Sequence, residues 1–108
     1  MKTSIISTAL AFMDHLREQG FKEHTVLQYQ TDLMKAVGFL GEYRRVKEIL
    51  PSQIELFLQS DALLHSRKGR ALAPRTIERT VRVLRHYLYW LQKQKMRRCD
   101  DLLEVVER

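Results

Sequence analysis

Residues 66–91 read SRKGRALAPRTIERTVRVLRHYLYWL. This stretch decides the fold, because it holds one long amphipathic helix together with an unusual charge. Pro74 suits the first turn of a helix, where its missing N–H would be unpaired anyway. From there to about residue 95 nothing breaks the pattern. At about 100° per residue, Ile77, Val81, Leu84, Leu88 and Leu91 fall within about 40° of one line, which predicts a core seam. Arg75, Arg79, Arg82 and His86 fall on the opposite side. Arg85 lies off that stripe, near the edge of the seam. Residues 66–85 hold seven Lys/Arg and a single acid, Glu78. A solvated helix face normally interleaves both signs, because like charges one turn apart repel. The stripe therefore asks for a polyanion.

Working outward, the rest of the chain also reads as helices. Ile5, Ala9, Phe12 and Leu16 mark an apolar stripe over about residues 3–19, and Gly20 can end it in the left-handed conformation. A second helix starts near His24 or Thr25 and runs to Leu40, with Val26, Tyr29, Leu33, Ala36 or Val37, and Leu40 inward and Gly41 after it. Residues 41–49 form a connector. Pro51 opens a third helix with Ile54, Phe57 and Leu58 inward, expected to fade around Leu63. The basic loop 65–73 and the helix from Pro74 complete an all-α, four-helix bundle, with a short fifth helical turn over residues 100–107. No repeat or strand alternation is visible.

Charge divides the 108 residues sharply. Residues 1–64 carry net −1, residues 65–98 net +10 and residues 99–108 net −3. We expect residues 1–98 to form the helical domain and residues 99–108 an acidic C-terminal tail or linker. Focused positive charge points to an anionic partner. Nucleic acid fits best: arginine neutralises phosphates, and its fork matches the two acceptors on a guanine edge. The loop at Arg67, Lys68 and Arg70 reads as a phosphate clamp beside the start of the basic helix. No apolar run reaches the ~18–20 residues that span a membrane. The N-terminal segment passes straight into Asp14 and Arg17, unlike an export signal. Cys99 is the single cysteine, so a reduced compartment, the cytoplasm, is expected.

Three blocks carry a family resemblance: HTVLQYQTDL (24–33), LPSQIELFL (50–58) and residues 66–91. Their order and spacing resemble the core-binding, SAM-like N-terminal domain of tyrosine recombinases, the group that includes phage integrases. The resemblance implies an all-α, SAM-like orthogonal bundle forming half of a clamp on recombination-site duplex DNA, with its second and fourth helices facing adjacent grooves. It also implies that Thr25, Gln28, Arg75, Thr76 and Arg79 contact DNA. The charge argument alone adds Lys68, Arg70 and Arg82. Departures are Ala36 where a large aromatic is common, Ala73 in place of a Ser or Thr cap, and a missing Asn-Pro after the fourth helix.

The family's strand transfer uses a Tyr nucleophile with an Arg/His/Lys cluster in a separate C-terminal domain, so this chain is expected to be non-catalytic. Tyr87 and Trp90 read as packing beside the seam. Tyr89 reads as lying beside the basic face. His15, His24, His65 and His86 show no metal-ligand spacing, and no cofactor or small-molecule substrate is expected. Asp14, Glu18, Asp32 and Glu55 read as unpaired, solvated surface. The partners expected are double-stranded DNA, with a catalytic domain or other recombinase protomers. A bundle docking an acidic protein and a helix-turn-helix regulator are the competing readings. On this reading Arg79→Ala should weaken DNA binding with little change in melting temperature.

Overall fold

A computed structural model describes residues 3–108. These residues form six α-helices and no extended strand: α1 Ile5–Glu18, α2 Glu23–Leu40, α3 Pro51–Leu58, α4 Asp61–Leu64, α5 Pro74–Lys93 and α6 Asp100–Val106. The all-α reading holds. α5 runs through the middle and packs against α1, α2, α4 and α6.

Local sequence explains most helix ends. Ser4 caps α1, its Oγ accepting from the Ser7 N–H at 3.1 Å. Gly20, at φ +90°, closes the other end. Its N–H donates to the Arg17 carbonyl, and the Phe21 N–H donates to the Leu16 carbonyl. That paired arrangement satisfies the last carbonyls of a helix. α5 ends in the same way at Lys95, whose φ of 60° is unusual for a residue with a side chain.

The connector after α2 straps the start of α1. The Ile5 and Ile6 N–H groups donate to the carbonyls of Arg44 and Glu42, and the Val46 N–H to that of Thr3. These bonds satisfy first-turn donors that have no partner inside the helix. Val46 and Ile49 then plug the core, both fully buried.

One element departs from the sequence reading. The third helix stops at Leu58 and restarts as the one-turn α4. The Ser60 hydroxyl donates back to the Phe57 carbonyl at 2.7 Å, the local competition by which short polar side chains interrupt helices. The restart turns Leu63 fully inward. The segment read as an acidic tail or linker contains the short helical turn expected over residues 100–107. It carries α6, which buries Leu102, Leu103, Val105 and Val106 against α3 and α5. Its acids occupy the outer side of an amphipathic turn. Arg97 fastens the approach, donating to the Ile49 carbonyl at 2.7 Å and the Asp101 carboxylate at 2.9 Å.

α5 buries a broader and rotated face. Thr80, Val83, Leu84, Tyr87, Leu88, Trp90 and Leu91 are buried, whereas Ile77 and Val81 are only partly covered. The buried face is centred about 60° from the aliphatic seam. Its aromatic side meets α1, where the Tyr87 hydroxyl lies 2.7 Å from Thr8 Oγ1. The single Thr8 hydroxyl proton goes to the Ile5 carbonyl at 2.9 Å, so the phenol is the donor. Burial pushes the Tyr87 phenol far above its usual range and keeps it protonated.

Thr8→Val leaves the buried Tyr87 hydroxyl without an acceptor and should cost about 1–3 kcal/mol. Adding Tyr87→Phe should recover part of that loss, measured by urea unfolding of both single variants and the double. Lys95→Gly removes the left-handed strain and should stabilise by about 0.5–1 kcal/mol in the same assay.

Candidate nucleic-acid interface

α2 and α5 lie side by side and leave a groove of about 410 Å³ between them. Thr25, Gln28, Tyr29 and Asp32 line it from α2, and Arg79 and Val83 from α5. Three of the expected DNA-contacting residues, Thr25, Gln28 and Arg79, therefore share one groove. Arg75 and Thr76 stand in the first turn of α5, Arg75 exposed and Thr76 half-buried. Arg82 is exposed beside a second, shallower depression lined with Ile77, Glu78, Val81 and Arg85. Lys68 and Arg70 lie apart from the groove, on the loop before α5.

That loop is an ordered hairpin. The Ser66 N–H donates to the Arg70 carbonyl, and the Gly69 N–H to the Ser66 carbonyl. Gly69 has φ +82°, the left-handed position that closes a three-residue hairpin loop. Ser66 Oγ accepts from the Arg70 N–H at 3.2 Å. The turn pushes Arg67, Lys68 and Arg70 into solvent. Ala73 holds the cap position of α5 without a capping side chain, and the first turn contains no acid. Among the described residues, no carboxylate lies within ion-pair distance of Arg67, Lys68, Arg70, Arg75 or Arg82.

Asp32 overturns its reading as solvated surface. The residue is fully buried. Its Oδ2 accepts from Arg79 Nε at 2.9 Å and Gln28 Nε2 at 3.4 Å. Its Oδ1 accepts from Arg79 Nη2 at 3.3 Å and Thr80 Oγ1 at 3.0 Å. A buried carboxylate needs this many donors, because an unpaired one would cost several kcal/mol, roughly. The sequence held a signal for it. Asp32 stands three residues after Tyr29 and four before Ala36, the spacing of the buried side of α2. Of the other acids read that way, Asp14 pairs at the surface with Arg17 at 3.0 Å and Glu55 with Arg108 at 3.8 Å. Such exposed pairs contribute little, about 0–1 kcal/mol.

His86 also leaves the exposed stripe. Its ring is half-buried among Phe12, Phe21 and Tyr29, with Nδ1 3.2 Å from the Tyr29 hydroxyl. Burial, helped by His15, lowers its pKa. Tyr89, read as lying beside the basic face, donates to the Glu107 carboxylate at 3.1 Å and ties α5 to α6. Among the described residues, no three His, Cys, Asp or Glu side chains converge on a point that could hold a metal ion.

A histidine with a lowered folded pKa contributes stability in full above its unfolded value, about 6.5, and loses it as pH falls through the folded value. Glu23 and Asp101, whose pKa values are lowered by Arg17 and Arg97, lose their contributions only in more acidic solution. Melting temperature should therefore fall from about pH 7 to about pH 5. The fall should be shallower in His86→Phe, as thermal melts across that range would measure.

With the geometry in view, comparison with known proteins is direct. Residues 10–95, from within α1 to the end of α5, match the sequence model of the phage integrase N-terminal SAM-like domain. The chain is 29% identical over 97 residues to the tyrosine recombinase XerC of Neisseria meningitidis serogroup B. That alignment covers 88% of this chain and 30% of the relative, so the chain spans less than a third of that protein's length. No solved structure matches it significantly. A helical architecture and a sequence match that both run from α1 through α5 lead to one assignment: the chain belongs to the phage integrase N-terminal SAM-like domain family.

Proposed function

We propose that this chain is a duplex-DNA-binding module, the core-binding part of a site-specific tyrosine recombinase, and that it binds DNA without performing strand transfer itself. One observation carries the reading. Arg67, Lys68, Arg70, Arg75 and Arg82 are exposed on one hairpin and the helix that follows it, and among the described residues none of them forms an ion pair. Their mutual repulsion is relieved when phosphates replace water around them, and counterions released from the duplex drive the association.

Each part has a distinct task. The hairpin of residues 66–70 grips the phosphate backbone from outside. The first turn of α5, free of acids and side-chain caps, adds the backbone N–H of Arg75, since Pro74 has none and those of Thr76 and Ile77 donate to the Ala73 carbonyl. The half of α5 beyond it enters a major groove, whose width of about 12 Å admits a helix. Thr25 and Gln28 approach from α2 across the same groove of the protein. The chemistry of recombination would then fall to a catalytic domain or to other recombinase protomers assembled on the same DNA.

Arg82 is a better probe of this reading than Arg79. Arg79→Ala would uncover the buried Asp32 carboxylate, so a loss of melting temperature is expected, contrary to the simple stripe picture. Arg82→Ala removes an unbalanced exposed charge. It should weaken binding to duplexes of any sequence, reduce the slope of log affinity against log salt by about 0.9, and leave the melting temperature unchanged. Arg17→Ala, on an arginine already paired with Asp14 and Glu23, should leave binding unchanged. Fluorescence anisotropy with labelled duplexes over a salt series measures all three. Absence of any binding at low salt by the unmodified protein would sink the proposal.

A further inference from the structure

Resting on the duplex-binding reading, a contrast among the arginines of α5 goes beyond it. Arg75 and Arg82 are exposed, and among the described residues neither forms an ion pair. Arg79 is already ion-paired, holding the Asp32 carboxylate more closely than Lys35 does. Asp32 takes its Nε–H at 2.9 Å and one Nη2–H at 3.3 Å. This engages one long edge of the guanidinium. Of the five N–H donors of an arginine, three remain, and two of them, one each on Nη1 and Nη2, form the end-on fork. The side chain is 42% exposed and lines the groove between α2 and α5. The held edge therefore lies at the buried carboxylate, with the remaining donors free for a ligand in that groove.

We infer that Arg79 is the base-reading residue of this module, aimed by Asp32 as its positioning residue at a guanine edge in the major groove, while Arg75 and Arg82 hold phosphates. Two physical differences separate these roles. A phosphate contact draws its energy from an unbalanced cation that displaces counterions, and an arginine already paired with a buried carboxylate has less of that to offer. A base edge is neutral and directional. Guanine presents O6 and N7 as two acceptors that match an end-on fork, and a fork held in advance loses little freedom on binding. The aim is built from both helices. Gln28 on α2 and Thr80 on α5 hold the two carboxylate oxygens from other directions, at 3.4 and 3.0 Å, and Lys35 Nζ stands 3.9 Å away. A side chain held by such a supported partner keeps its geometry when the ligand arrives.

The test selects sequences from a pool of duplexes with a randomised centre, using the unmodified protein, Arg79→Lys and Asp32→Asn. Salt slopes are then measured on the enriched duplexes, and thermal melts confirm that each variant is folded. The unmodified protein should enrich a motif with guanine at one fixed position. Arg79→Lys keeps the charge and can still reach Asp32, but has no fork. It should lose the guanine preference by about 5- to 150-fold with its salt slope unchanged. Asp32→Asn should loosen the preference and steepen the salt slope by about 0.9, because the freed charge of Arg79 becomes available to a phosphate. A guanine preference that survives Arg79→Lys overturns the inference, as does a folded Asp32→Asn protein with unmodified preference and slope. If Asp32→Asn does not fold, the Arg79→Lys result decides alone. Duplex binding without any enriched motif overturns the assignment of Arg79 while leaving the proposed function standing. Failure to bind any duplex overturns both.

Discussion

The carboxylate of Asp32, buried between α2 and α5, is the charge around which that interface is arranged. Removing a carboxylate from water carries a desolvation cost that only close, well-aimed donors can offset. Arg79 and Thr80 on α5 supply three of the hydrogen bonds and Gln28 on α2 another. Arg79 and Thr80 are neighbours about 100° apart around their helix. A carboxylate bound to both therefore constrains the rotation of α5 about its own axis. That rotation turns Tyr87 and Trp90 onto α1 and leaves Arg75 and Arg82 facing solvent. The polar contact thus acts less as a source of stability than as a means of selecting one packing of α5.

Around that contact the apolar elements close the core from both ends of the chain. The connector after α2 brings Val46 and Ile49 beneath the start of α1, using backbone bonds that α1 would otherwise lack. At the other end α6 covers α3 and α5, and Arg97 fixes the turn that leads into it. Between them, Phe12 meets Tyr87, Trp90 and His86 in one aromatic layer. A broad buried face on α5 follows, because one long helix must cover α1, α2 and α6 at the same time. The exposed side left over is narrow, and the unbalanced arginines are concentrated on it.

Much of this was legible in the chain. Apolar spacing, Gly20, Gly41, Pro51 and Pro74 located the four main helices to within a few residues, since caps and breakers act locally. The division of charge located the basic hairpin and helix, and the spacing of three motifs identified the family. Errors arose where a residue's partner is distant in sequence. Asp32 meets Arg79 and Thr80 at separations of 47 and 48 residues. His86, read as exposed, meets Tyr29 at 57. The helical period of α5 gave two opposed faces, but a helix enclosed on several sides need not bury only its aliphatic line. Within residues 99–108 the helical turn was legible, but the burial of Leu102, Leu103, Val105 and Val106 was not, because four acids interrupt them.

By itself, then, the sequence determined that this protein is helical, where its main helices begin, and that its positive charge is gathered on one hairpin and one helix. Periodicity, capping and charge density are local properties, written in neighbouring residues. Tertiary structure alone decided which of those charges remain free. Arg79 and Arg82 are three residues apart and chemically identical, yet only Arg79 reaches a carboxylate that α2 carries into the core. The state of a charge depends on what surrounds it in space, and that environment exists only once the helices have packed.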